Sequence, residues 1–73
     1  HREMRERQIV DALADGPRDI TSLVAEMYAD VDEKLHLAAG ASVYAHLLAL
    51  SRSGRAETLA DDDSDWKSDW RLV

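Results

Sequence analysis

The spacing of apolar residues changes at Gly54, and that change limits the folds open to the chain. Before it, apolar residues recur at helical intervals: Ile9, Val10 and Leu13, then Leu23, Val24, Met27 and Tyr28. A third set, Val43, Leu47 and Leu50, is widened by Tyr44 and Leu48. Each set lies on one face of a helix. After Gly54 the pattern alternates, with Trp66, Ser68, Trp70 and Leu72 on one side, as in a strand with one covered face.

The breaks between these stretches set the element boundaries. The first helix is expected over residues 2–15, with Met4 extending its apolar edge and Glu3 and Arg7 paired at i, i+4. Gly16-Pro17 ends it, because Gly accepts a left-handed cap and Pro cannot continue the ladder. Arg18, Asp19 and Ile20 read as a short extended piece. Thr21 is the expected N-cap of a second helix over residues 22–28. Residues 29–34 are polar and acidic, and read as a connection. A third helix begins between residues 35 and 38, runs to about residue 53 and takes Gly54 as its C-cap. Gly40 in its interior costs about 1 kcal/mol relative to Ala. A strand is expected within residues 55–60, a turn-rich Asp-Asp-Asp-Ser-Asp loop at 61–65, and a second strand over 66–73.

Three helices, a short extended piece after the first, and a terminal hairpin give a mainly α fold with a small β-hairpin. That is the order of a winged helix-turn-helix, with residues 1–73 as a single domain. A plain three-helix bundle with a loose tail is the alternative. Two Trp in the tail favour a docked wing.

Composition narrows the class. The 73 residues contain no cysteine, which excludes a disulfide scaffold and thiolate metal sites. Leu, Ile and Val make up about 22% of the chain, above the roughly 20% below which chains are disordered. No run approaches the ~20 apolar residues of a membrane span. The chain opens on His1-Arg2 inside a charged helix, so it is expected to be the C-terminal fragment of a longer protein.

Charge argues against nucleic acid. Nine Lys and Arg face fifteen Asp and Glu, a formal charge of −6. Phosphate binding draws on Lys and Arg. The third helix would be the reading helix, yet no Arg, Lys, Asn or Gln stands between Ala38 and Ser51. The wing adds Arg55, Lys67 and Arg71 but carries six acids: Glu57, Asp61, Asp62, Asp63, Asp65 and Asp69. Sequence-specific DNA binding is therefore not expected.

Chemistry-bearing patterns are sparse. His1, His36 and His46 share no helical spacing that would bring metal ligands together. Asp61, Asp63 and Asp65 copy the start of a calcium loop, but Trp66 and Leu72 stand where Gly and Glu are needed. No nucleophile–base motif or phosphate loop is present. Trp66 and Trp70 are either cover for a core that lacks Phe or an anchor for another surface.

Many positions together resemble one family. His1-Arg2, Arg5-Glu6, Gln8-Ile9, Leu13, Gly16-Pro17, Leu23, Tyr28, Leu35, Ala39 and Val43 carry the likeness. The stretch Ala-His-Leu-Leu-Ala-Leu-Ser-Arg-Ser-Gly-Arg at 45–55 and the opening His1-Arg2 are its most specific parts. The chain resembles the C-terminal winged-helix domain that follows the catalytic domain of lactamase-beta-like metallo-hydrolases, in the metallo-β-lactamase superfamily. The resemblance implies a parent enzyme with a His-x-His-x-Asp-His signature upstream and zinc that activates water for hydrolysis. No residue here matches that motif, so this chain is expected to hold no catalytic residue and no cofactor. The implied partner is the catalytic domain of the same chain, with RNA as a candidate substrate of the parent and a cytoplasmic location. Candidate interdomain or ligand contacts are His1, Arg2, Tyr28, His46, Arg55, Trp66 and Trp70.

Overall fold

A computed structural model describes residues 2–62 and 67–73. Helix α1 (Arg2–Leu13) is followed by α2 (Ile20–Met27), a 3₁₀ turn (Glu33–Leu35), α3 (His36–Arg52) and strands β1 (Ala56–Thr58) and β2 (Trp70–Leu72). This is the expected winged helix, three helices and an antiparallel hairpin.

The first helix stops two residues short of the expected end. The Asp15 and Gly16 N–H groups donate to the Ala12 and Leu13 carbonyls, three residues back, which tightens the last turn. Gly16 then turns the chain at φ +136°, a conformation L side chains rarely adopt.

The second helix starts earlier than expected, and Asp19, not Thr21, is its N-cap. The Asp19 backbone is extended, and its carboxylate accepts the Ser22 N–H at 2.7 Å. Starting at Ile20 places Ile20, Leu23 and Val24 at i, i+3, i+4, and all three are buried. The polar connection holds a 3₁₀ turn capped by Asp32, whose carboxylate accepts the Lys34 N–H.

Helix α3 ends in a Schellman arrangement. Gly54 N–H donates to the Ser51 carbonyl and Arg55 N–H to the Leu50 carbonyl, with Gly54 at φ +78°. The chain leaves the helix directly into β1. The register of the hairpin pairs Ala56 with Leu72, Glu57 with Arg71 and Thr58 with Trp70. Both strands are shorter than expected. Beyond β1, the Leu59 N–H donates to the Asp69 carbonyl at 2.9 Å, and the Thr58 hydroxyl takes the Ala60 N–H and lies 2.8 Å from the Ser68 hydroxyl, so backbone and side chains together hold the base of the wing.

The extended piece after α1 has a definite partner. Arg18 and Trp70 exchange both backbone hydrogen bonds, at 3.0 and 2.8 Å. Trp70 therefore lies between Thr58 and Arg18, and the wing is sewn onto the start of α2. That excludes the loose-tailed bundle. The core gathers Ile9, Ala12 and Leu13 from α1, and Ile20, Leu23 and Val24 from α2. Val43, Leu47 and Leu50 from α3 complete it with Ala56 and Trp70. Trp70 is the largest fully buried side chain, in a core that has no Phe.

Candidate functional site

The residues singled out in the sequence do not converge. His1 and Trp66 lie outside the described residues. Arg2 is the first residue of α1. Trp70 has no exposed surface, so it has none to offer a partner; this corrects its place among the candidate contacts. Its indole meets the Tyr44 ring edge-on at 6.4 Å between centroids.

Tyr28 and His36 form a clasp between α2 and α3. His36 Nε2 lies 3.1 Å from both the Tyr28 and the Val31 carbonyl oxygens. Carbonyls only accept, so Nε2 carries the proton and donates to both. The Arg5 guanidinium covers the Tyr28 ring at 4.8 Å from its centroid, a cation–π contact that brings α1 to the same corner. These contacts are architectural.

His46 and Arg55 both lie near Glu6. His46 Nδ1 lies 3.8 Å from the Glu6 carboxylate, an ion pair when the imidazole is protonated. Glu6 and Arg55, with Glu3, Arg7 and Val10, line a groove of about 380 Å³. Two acids and two cations face each other there, which gives no net preference for an anion or a cation. Among the described residues, no group of three or more His, Asp or Glu is placed to hold a metal ion. No described helix is long and apolar enough to cross a membrane.

The distinctive surface is the outer face of α3. Gly40, Val43, Leu47 and Leu50 turn inward. Leu37, Ala38, Ala41, Ser42 and Ala45 are exposed, and none is charged. In a chain where charged residues make up 33%, the roughly two and a half turns from Leu37 to Ala45 present no charge to solvent, and the next exposed residue of α3 is Arg52. Leu37 is 83% exposed and Leu35 56%. Beside them an open groove of about 270 Å³ runs between α2 and α3, lined by Ile20, Thr21, Val24, Ala25, His36, Leu37 and Gly40. Sequence reasoning missed Leu37 because its apolar character reads as core. The charge-free run itself was visible, but only as a lack of base-reading residues.

A family model described as the beta-lactamase associated winged helix domain matches residues 20–66, more than half of the chain. The match runs from the first residue of α2 into the wing. No curated protein and no solved structure matches the chain.

Proposed function

The chain belongs to the beta-lactamase associated winged helix family, and from that premise we propose that it is a non-catalytic accessory domain of a metallo-β-lactamase-fold hydrolase. In this reading it packs on the catalytic domain and shapes access to the substrate. Residues 1–73 are one domain of a longer, cytoplasmic chain. In this reading zinc is held by the catalytic domain, as the family resemblance implies. RNA is a candidate substrate of the parent.

The observation that carries this reading is the uncharged outer face of α3 with Leu35 and Leu37 standing out from it. A helix that reads DNA needs donors and cations on this face. A helix that meets a protein surface needs the opposite, since interface cores are depleted in charge. An exposed apolar patch with a polar surround is the mark of a surface that has a partner.

The test is the reading frame that encodes the residues before His1. A His-x-His-x-Asp-His signature in the preceding domain is the expected result. A start codon immediately before His1 would overturn the proposal. The alternative reading is a winged-helix DNA-binding or protein-interaction domain of a regulator; in a titration with duplex DNA at low salt no binding is expected, and salt-sensitive binding would favour the DNA-binding regulator.

A further inference from the structure

Helix α2 is a ridge between two unlike grooves. On its α3 side lies the apolar groove of Ile20, Val24, Ala25 and Leu37. On its α1 side Asp11, Asp15 and Glu26 line a second groove with Gln8 and Met27, of about 350 Å³. Among the described residues, no Lys or Arg lines either groove. Arg18, just before α2, is held 2.6 Å from Glu26. The other charges flanking the apolar groove in the chain are Asp19, Asp32, Glu33 and Lys34, again more acidic than basic. Asp19 and Asp32 spend an oxygen on their caps but keep their charge.

We propose that α2 and the start of α3 form a docking surface for a basic, amphipathic segment of the catalytic domain on which this domain packs. An apolar side chain of that segment enters the α2–α3 groove against Leu37, and its Lys or Arg side chains reach over α2 to Asp11 and Asp15. This rests on the accessory-domain reading and adds to it the face that docks and the chemistry that fits it. The choice of occupant follows from charge. An acidic segment or a nucleic acid would meet the carboxylates with like charge, while a neutral one would leave Asp11 and Asp15 unmatched. A helix is about 10–12 Å across with its side chains, so the segment itself crosses α2, with its apolar anchor on one side of the ridge and its cationic side chains on the other.

The experiment is an NMR titration of the ¹⁵N-labelled 73-residue chain. The probe is a synthetic helical peptide of Leu, Ala and Lys with its Leu residues on one face. The control has Glu in place of Lys. Amide shifts are expected to centre on Thr21, Ala25, Leu37 and Gly40, and to weaken as salt is raised. Leu37→Ser removes the exposed side of the groove without touching the core, and is expected to weaken binding by about tenfold. Asp11→Asn with Asp15→Asn is expected to weaken the Lys peptide but not the control. Equal binding of the two peptides would overturn the proposal. So would shifts centred on the wing, or a Leu37→Ser variant that binds as before. Each of those results leaves the accessory-domain reading standing, because that reading is decided by the upstream sequence.

Discussion

Replacing Trp70 with Ala removes the largest fully buried side chain from a core that contains no Phe. The expected loss is about 3–5 kcal/mol, a large part of the stability of a domain this small. Trp70→Phe should be much milder. It retains most of the apolar volume and removes the indole N–H, which has no protein acceptor among the described residues. An unmatched buried N–H costs about 1–3 kcal/mol, so part of the lost packing is returned. Urea denaturation of the two variants checks the order; equal losses would mean that the indole is not packed as described. The neighbouring polar groups are better served. His36 donates to two carbonyls with a single nitrogen, and the Thr58 hydroxyl closes the base of the wing.

Among the elements, α2 is the one whose boundary decides the most. It has only eight residues, too few to be stable alone. Its Asp19 cap therefore matters. Asp19→Ala is expected to cost about 1 kcal/mol, seen as a fall in Tm of about 4–8 °C. Thr21→Ala should change little, since Thr21 is an exposed residue inside the helix. The reverse order in a thermal melt would restore the Thr21 cap. That boundary also shows what was legible in the sequence. Helical periodicity located all three helices, and alternation around Trp70 located the wing. Asp19 and Thr21 are both good capping residues, and periodicity does not choose between them; the burial of Ile20 does. The Arg18–Trp70 bridge was not legible, because a strand of one residue has no period. The candidate site was legible only in outline. The lack of base-reading residues on α3 was plain, but the outward Leu37 and the adjoining groove depend on how α2 lies against it.

At the scale of the whole molecule, charge and core are cleanly separated. No charged or polar residue is buried among the described ones. The net charge of −6 is therefore spread over the surface of a molecule with a Cα radius of gyration of 11.2 Å. Self-repulsion of that charge opposes the compact state, and salt screens it. Tm is expected to rise as sodium chloride is raised from about 10 mM to about 150 mM, where the Debye length shrinks to roughly 8 Å. A fall would mean that exposed pairs such as Arg18–Glu26 and Arg71–Glu57 outweigh the repulsion; pairs of this kind are usually worth no more than about 1 kcal/mol each.

The position of Trp70 between Thr58 and Arg18 also sets an order in time. A ribosome delivers the three helices first, and their common interior stays incomplete until the last strand leaves the exit tunnel. At about 5–20 residues per second, the wait between Leu50 and Trp70 is roughly one to four seconds. Helix–coil motion is far faster, on the order of a microsecond. The nascent helices thus form and dissolve many times before the side chain that joins them arrives. Throughout that interval their apolar faces are open to chaperones and to neighbouring chains. The bridge back to Arg18, across fifty-two positions, makes the fold a decision taken late in synthesis.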